Sequence, residues 1–250
     1  MAVYITGDCH GDWYKLIYNS PTKNGDYVIV CGDFGIWHNL SGGESRFLDS
    51  LEKLNYTILW CDGNHENFDR LYGGEFEEVD YLGGRAHKIR NNVFHLMRGY
   101  IFNIEGKKFF VFGGASSHDI GDGIIALEDY SSEDEFYEAI YKARKLGKMF
   151  RIKGMSWWER ELPTDEEMEN GRVNLKLNNN EVDFVISHCL PQTVASVLSH
   201  GNYKADKLTS YFDEIAENNK FTKWYCGHYH TETVIMGKFI LTYDSFERAV

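Results

Sequence analysis

The most constraining feature of the sequence is the stretch at residues 27–35, which reads YVIVCGDFG. Its apolar, largely β-branched and aromatic start predicts a buried strand. Gly32 and Gly35 flank Asp33, and glycine tolerates a positive φ and lets other groups come close. The stretch therefore predicts a carboxylate fixed at the end of a buried strand, in a position to bridge two metal ions. A single Gly-Asp pair is more often an aspartate in a turn. The other motifs of the chain are therefore needed to choose between a turn aspartate and a metal ligand.

The composition is that of one large α/β domain. The 250 residues include three prolines and no low-complexity tract, and they suffice for a substantial core. The net charge of −12 argues against a general nucleic-acid groove or an anionic membrane surface as partner. It suits a protein that concentrates carboxylates around cations. No run approaches the roughly 18 apolar residues of a membrane helix.

The start of the chain predicts a cytoplasmic location. A predicted strand at 2–6 leads at once into Asp8, which leaves no room for a secretory signal. We therefore expect the five cysteines to be reduced. Four of them adjoin candidate ligands, and we interpret most of these as small core residues, not as ligands; the four are Cys9, Cys31, Cys189 and Cys226.

Alternating strands and helices open the chain. The strand at 2–6 leads into GDCHG, the strand at 27–31 into GDFG, and a strand at 56–61 into DGNHE, with a helix predicted after the first two. Such alternation predicts parallel strands in βαβ units. Because ligands of these sheets collect at the carboxyl ends of the strands, the polar residues of all three motifs are expected at one edge.

A β-rich stretch follows. Three short strands are predicted at 93–97, 100–104 and 108–112, with hairpin turns at Gly99 and at Glu105-Gly106. The last strand leads into GGASSHD, which brings His118 to the same edge as a candidate substrate contact, although an exposed loop histidine is the simpler interpretation.

Residues from 119 to about 180 are predicted to be a cap-like insertion. The capping patterns SSEDE and PTDEE predict two helices within it. The adjacent Trp157 and Trp158 are interpreted as core anchors, because tryptophan buries a large area, in preference to a surface on which substrate stacks.

The first pattern returns at the end of the chain. A strand at 182–187 ends at His188, and a strand at 222–226 leads into GHYH with His228 and His230. Two more strands, near residues 233 and 239, are predicted to complete a sheet.

Polar side chains thus follow five predicted strands. Each group alone has a simpler interpretation, such as a solvated loop for Asp8 and His10 or a helix cap for Asn64. Together, and without His65, they offer three oxygen and four imidazole ligands, too many for one tetrahedral zinc ion. Such a set suits two ions with a shared carboxylate, and manganese, iron or zinc fits the mixed oxygen and nitrogen donors. The residues are Asp8, His10, Asp33, Asn64, His65, His188, His228 and His230.

The motifs GDCHG, GDFG, GNHE, the histidine of SHC, and GHYH, in this order, resemble those of the calcineurin-like metallophosphoesterase superfamily, and they span positions 7–230. The resemblance implies an α/β fold with a two-sheet β-sandwich flanked by helices, here as a single domain, 1–250, with the insertion at about 119–180. It implies two divalent ions, with manganese favoured and iron or zinc as alternatives. It assigns one ion to Asp8, His10, Asp33 and His230. It assigns the other to Asp33, Asn64, His188 and His228, and it makes His65 the catalytic histidine.

One departure separates the chain from the Ser/Thr protein phosphatases of that superfamily. Their second motif, GDxxDRG, contains a phosphate-binding arginine, whereas this chain continues as GDFGIWH. The chain is therefore more similar to small bacterial or phage-type members, and SWWERELPTDEEM resembles a feature of an uncharacterised bacterial branch. Arg151, His118 and His38 are the candidate substrate contacts.

The resemblance implies a metal-dependent phosphoesterase that hydrolyses a phosphate mono- or diester by in-line attack of a metal-bridging hydroxide. A small phosphorylated molecule or a nucleotide is the expected substrate, and a long nucleic acid or a membrane is not. The alternatives are a nuclease and a non-catalytic scaffold of the same fold that binds proteins. The sequence indicates neither the physiological substrate nor the oligomeric state.

Overall fold

The structure is a computed structural model that describes residues 1–36 and 42–250. The candidate contact His38 lies outside the described residues. The strands are β1 (Val3–Thr6), β2 (Tyr27–Cys31), β3 (Thr57–Cys61), β4 (Glu77–Tyr81), β5 (Gly84–Arg90), β6 (Val93–Leu96), β7 (Tyr100–Ile104), β8 (Lys107–Phe112), β9 (Ile124–Ile125), β10 (Arg151–Ile152), β11 (Phe184–Ser187), β12 (Lys223–Cys226), β13 (Thr233–Ile235), β14 (Phe239–Leu241) and β15 (Glu247–Arg248). The α-helices are α1 (Gly42–Glu52), α2 (Phe68–Tyr72), α3 (Glu133–Lys145), α4 (Asp165–Leu177), α5 (Gln192–Leu198) and α6 (Lys207–Asn218).

Two sheets carry the architecture. The first has the order β15-β1-β2-β3-β6-β5-β4, and β1, β2, β3 and β6 run parallel in it. The second has the order β13-β14-β12-β11-β8-β7, and β8, β11, β12 and β14 run parallel. The parallel strands predicted from the first three units are therefore confirmed, and so is the mixed α/β class.

The core explains why the central strands are apolar throughout. In β2, Ile29 and Cys31 point into the layer between the two sheets, whereas Val28 and Val30 point outward to a second apolar layer that includes Leu48 of α1. The outer face of the second sheet is covered by α4, α5 and α6 in the same way. A strand with both faces buried has no alternation of polar and apolar residues. The order of layers is thus helix, sheet, sheet, helix.

One predicted turn is wrong. Gly99 was expected to close a hairpin between the strands now seen as β6 and β7, but β6 pairs with β3 and β5, while β7 pairs with β8 in the other sheet. The chain crosses between sheets at this glycine. The turn at Glu105-Gly106 does join β7 to β8, and both residues have positive φ, as a two-residue hairpin requires.

The predicted insertion consists of two parts with different surroundings. The paired strands β9 and β10 and helix α3 share a small core formed by Phe136, Ile140 and Ile152. Helix α4 instead packs in the main core through Leu175 and contacts β7. Ser132 and Thr164 are the N-caps as predicted, and Thr164 forms the full capping box with Glu167. At Ser132 only half of the predicted box is present, because the Glu135 side chain accepts from the amide of Ser131 instead of that of Ser132. The domain boundaries stay a prediction.

Three smaller predictions also have an outcome. All five cysteines are free and buried. Trp158 is buried and donates a hydrogen bond to Asp69 of α2, so it anchors the insertion to the core as predicted, and Trp157 is half-buried. None of the helices among the described residues has both the length and the apolar character needed to cross a membrane.

A buried ion pair joins the two sheets to the insertion. The guanidinium of Arg98 donates to the carboxylate of Asp62, which directly follows β3, and also to the backbone carbonyls of Arg160 and Glu161. The backbone oxygen of Asp62 accepts from the amide of Gly114, just after β8. Asp62 and Arg98 are both buried, so neither charge has water as an alternative partner.

We expect Arg98→Met to lower the free energy of unfolding by about 3–5 kcal/mol, because it leaves the Asp62 carboxylate buried without its counter-charge. The double variant Asp62→Leu/Arg98→Met should be less destabilised than the sum of the single variants, since it removes both charges. Urea unfolding measures both effects. Arg85, whose half-buried side chain pairs with Glu78 and Asp80 at the surface, provides the control, and Arg85→Met should cost about 1 kcal/mol or less. An equally small effect at Arg98 would contradict the linking role.

Candidate metal centre

The carboxyl ends of the parallel strands of both sheets meet at one end of the sandwich. The first sheet brings Asp8, Asp33 and Asn64 there, after β1, β2 and β3. The second sheet brings His188 after β11, and His228 and His230 after β12. Together with His10, these residues lie in one cluster.

Asp33 lies at the centre of this cluster. Its Oδ2 is 3.7 Å from Nε2 of His10 and 3.3 Å from Nε2 of His188. Its Oδ1 accepts a hydrogen bond of 2.8 Å from the backbone N–H of His65. One oxygen of Asp33 therefore faces histidines from two different loops, while the other is held by the third motif.

One group of ligand atoms lies on the side of His10. Nε2 of His10 and Nε2 of His230 are 3.0 Å apart, and Oδ2 of Asp8 is 3.6 Å from the first nitrogen and 3.1 Å from the second. The three atoms lie close enough together to bind one ion.

The second group is centred on His188. Its Nδ1 donates to the backbone oxygen of Cys31 at 2.7 Å, so Nε2 is the ring nitrogen that faces the cluster. That Nε2 lies 3.3 Å from Oδ1 of Asn64 and 3.2 Å from Nδ1 of His228, in addition to its contact with Asp33. These are the four residues that the resemblance assigns to the second ion.

The donor set fits cations. Carboxylate and amide oxygens and imidazole nitrogens point at common positions, and such donors suit first-row divalent ions. Although burial lowers the pKa of His188, the carboxylates of Asp33 and Asp8 outweigh it and raise that pKa to about 10. A site whose carboxylates attract a proton this strongly onto a buried imidazole has an excess of negative charge, which is the electrostatic condition for binding cations.

The backbone of the site is strained in places. Asp33, His10, His228 and His230 have φ values of 47°, 49°, 67° and 46°. A left-handed conformation costs a residue other than glycine about 1–2 kcal/mol. The buried carboxylate of Glu66 offsets part of this cost, because it accepts hydrogen bonds from the backbone amides just after Asp33; the donors are Phe34, Gly35 and Ile36. Glu66 is the last residue of GNHE, so its function is to hold the loop that carries Asp33.

Two motif glycines are required by close approach. A Cβ on Gly63 would lie 2.0 Å from Oδ1 of Asp33, and a Cβ on Gly227 would lie 2.1 Å from Oδ1 of Asp8. The glycine of each motif therefore leaves room for a carboxylate of another motif.

His65 lies beside the cluster and faces the insertion. Nη1 and Nη2 of Arg151 are 3.1 and 3.2 Å from its two ring nitrogens, and Nε of Arg151 pairs with Asp119 at 2.7 Å. Burial lowers the pKa of His65 to about 4, and the Arg151 charge lowers it as well. The structure thus places Arg151, a candidate substrate contact, against the candidate catalytic histidine.

His118 borders an open cleft. Its ring is exposed, its Nε2 is 2.6 Å from Nε2 of His228, and it stacks on Tyr203. The cleft has a volume of about 630 Å³ and also contacts Lys204 and Tyr229. Sequence reasoning did not identify Tyr203 or Lys204, because no motif marks their loop.

A chain of hydrogen bonds from the insertion reaches Asn64. The Nδ2 of Asn64 donates to Oγ of Ser117 at 3.4 Å, and Ser117 donates its hydroxyl and its backbone amide to the carboxylate of Glu161 at 2.7 and 2.9 Å. Glu161 is buried, and burial raises its pKa to about 7. The chain fixes the Asn64 amide so that Oδ1 faces His188. Nothing in the sequence separates Glu161 from the surface acids around it.

Comparison with known proteins gives the same family as the motifs. The family model for calcineurin-like phosphoesterases matches residues 1–232. Among curated proteins, a lariat debranching enzyme of Schizosaccharomyces pombe is 22% identical over 259 aligned residues, with 93% of this chain and 48% of that protein covered. This chain thus spans about half the length of that relative. Among solved structures, phosphopantetheinyl hydrolase from Mycobacterium tuberculosis superimposes with a TM-score of 0.45 at 17% identity, over 97% of this chain and 90% of that one.

We expect Glu161→Gln to lower the affinity for Mn²⁺ by about 10–100-fold, as changes around metal ligands typically do. A carboxylate accepts two hydrogen bonds from Ser117, whereas an amide offers one acceptor and one donor. The Ser117 hydroxyl then has to donate elsewhere, which favours a flipped Asn64 whose NH₂ group faces His188. Calorimetric titration with Mn²⁺ measures the change, and Glu159→Gln, an exposed neighbour, is the control. An unchanged affinity would mean that Glu161 does not orient Asn64.

Proposed function

Because the chain belongs to the calcineurin-like phosphoesterase family, we propose that it is a phosphoesterase that acts with two divalent metal ions. The observation that carries the proposal is Oδ2 of Asp33, which faces histidines of two separate ligand groups. Asp33 is then the shared ligand. The first ion is assigned to Asp8, His10 and His230 together with Asp33, and the second to Asn64, His188 and His228 together with Asp33.

When bound, the two ions lower the pKa of a coordinated water and neutralise charge on the phosphoryl group. The chain supplies the remaining functions. Arg151 is the group that binds a non-bridging phosphoryl oxygen, in the role of the arginine that is absent from the second motif. Burial, and to a smaller extent the charge of this guanidinium, keeps the pKa of the neighbouring His65 low, so that His65 is neutral near pH 7. A neutral imidazole donates a hydrogen bond to the leaving oxygen and helps to stabilise its developing charge.

The proposed substrate is a small phosphorylated molecule or a nucleotide, as a mono- or diester. Arg151 and Glu161 bring the insertion to the edge of the site, and this narrows the access for large folded substrates. The cleft beside His118, at about 630 Å³, has the size of pockets for small organic ligands. Manganese is the proposed ion, and the cytoplasmic location stays a prediction.

The test is a screen of the manganese-loaded protein. We expect hydrolysis of p-nitrophenyl phosphate, its bis ester or a nucleotide, and close to two equivalents of metal by elemental analysis. Asp33→Asn should lose both ions and the activity, because it removes the charge that both ligand groups share. The exposed Asp134→Asn is the charge-matched control. Full metal occupancy without hydrolysis of any phosphoester would favour a protein-binding scaffold, and one equivalent of metal in the wild type would exclude the shared-ligand arrangement.

We expect His65→Ala to retain both ions and to lower kcat by roughly 10²–10⁴, the range for a positioned acid or base. The reason is that neither ligand group needs its side chain, while its ring lies against Arg151. Metal content and kcat are measured on the same preparation, with the exposed His200→Ala as control. If the variant lost metal but kept its rate per bound metal, His65 would be a ligand.

A further inference from the structure

The charge of the chain is unevenly distributed. Residues 142–153 carry six basic side chains and no acidic one, whereas the other 238 residues carry 20 basic and 38 acidic ones, a balance of −18. A local excess of positive charge on an otherwise acidic protein directs anions to one place. The six residues are Lys142, Arg144, Lys145, Lys148, Arg151 and Lys153.

Half of these cations have an acidic partner and half do not. Lys142 pairs with Glu138, Arg151 with Asp119, and Lys153 with Glu128. The side chains of the other three are exposed and form no ion pair or hydrogen bond with any of the described residues; they are Arg144, Lys145 and Lys148. The dipole of α3 favours cations in its last turn, but Lys148 follows the helix end.

The basic segment leads to the active site. Lys148 is three residues before Arg151, so their Cα atoms lie within about 11 Å even in extended chain. The chain between them is held by hydrogen bonds of Met149 to Asp122 and of Arg151 to Gly123. Because Arg151 contacts His65, Lys148 lies within a few residues of the proposed position of the reacting phosphate, and Arg144 and Lys145 precede it in the last turn of α3.

Exposed aromatic rings continue this face. Tyr137 and Tyr141 are 55% and 65% exposed and lie one helical turn apart on α3. Tyr141 precedes Arg144 by three and Lys145 by four residues, which places the ring beside both cations on the helix surface. Cations beside exposed aromatic rings are the combination with which proteins bind unpaired nucleotides, through phosphates and stacked bases.

We propose that this face, Tyr137, Tyr141, Arg144, Lys145 and Lys148, binds a single-stranded nucleic acid, and that the reacting phosphodiester of the strand lies at His65. The assignment rests on the proposed function for the position of the reacting phosphate. It replaces the small ester proposed there with a phosphodiester inside an unpaired strand, which is thin enough to enter a site that is narrowed against large folded substrates. A single strand is the occupant because stacking on the two tyrosines requires unpaired bases. The acidic remainder of the surface repels the strand, which confines it to this face.

The test is the binding of a fluorescein-labelled 12-nucleotide oligothymidylate, followed by anisotropy in EDTA so that no hydrolysis occurs. The variant Arg144→Gln/Lys145→Gln/Lys148→Gln should bind about tenfold more weakly or worse at 50 mM salt. The slope of log K against log salt concentration should become shallower by about 2, since each phosphate contact on a single strand contributes about 0.7. The control Lys53→Gln/Lys176→Gln/Lys220→Gln removes the same charge from exposed positions elsewhere and should bind like the wild type.

A second variant tests the aromatic part. Tyr137→Ala/Tyr141→Ala should weaken binding of the oligonucleotide several-fold and leave binding of inorganic polyphosphate unchanged. Equal losses in the two triple variants, or a preference for the duplex over the single strand, would overturn the proposal.

Hydrolysis of bis-p-nitrophenyl phosphate with Mn²⁺ is measured on the same proteins, and the wild type and the Lys53→Gln/Lys176→Gln/Lys220→Gln control should be equally active. If all proteins fail to hydrolyse phosphoesters but the anisotropy results hold, the binding face stands and the proposed function fails. If hydrolysis is retained but the two triple variants bind alike, the binding face fails alone.

Discussion

The buried carboxylate of Asp33 is the constraint on which the rest of the site depends. Its backbone oxygen accepts hydrogen bonds from the amides of Cys9 and His10, so the first motif is held by the second. Its Oδ1 binds the third motif, and its Oδ2 faces histidines from both sheets. To do this the residue adopts a left-handed backbone, which is stable because the carboxylate of Glu66 binds the amides of the following residues. The position of each motif in this site therefore depends on contacts with the other motifs through Asp33.

The insertion is part of the same network. Arg98 connects its backbone to Asp62 at the end of β3, Glu161 connects it to Asn64 through Ser117, and Arg151 lies on His65. All three links end within residues 62–65, so a displacement of the insertion is transmitted to the third motif. Because these groups are buried or partly buried, their hydrogen bonds are not replaced by water without cost. The insertion therefore helps to hold the candidate metal ligands in position, in addition to covering the site.

Sequence patterns predicted correctly those elements whose structure depends on residues close in the sequence. The apolar run of β2 with its glycine turn, and the capped helices α3 and α4, have the predicted form. The failures concern distant partners: Gly99 has the chemistry of a hairpin turn, but its flanking strands find partners in different sheets. The hairpin of β4 and β5 was missed because exposed acids such as Glu77 and Asp80 interrupt its apolar pattern. Glu161 was missed because burial, which decides its role, depends on residues 44 positions away.

Electrostatics explains why one chain combines an acidic core site with a short basic segment, residues 142–153, within an insertion that carries 9 basic and 14 acidic side chains. The carboxylates of Asp8 and Asp33 attract cations, and without compensation the same charges repel a phosphate ester. Bound cations remove this repulsion, but they act only at short range in salt solution. Attraction of an anion from farther away has to come from basic side chains outside the carboxylate cluster. Among the described residues, Arg151 and the exposed cations that precede it in the chain are candidates for this role. In the proposed function the carboxylate cluster would concentrate metal charge at the reacting phosphate, and the segment 142–153 would attract an anion to it. The overall charge of −12 conceals this division, because it sums a segment with a charge of +6 and a remainder with a charge of −18.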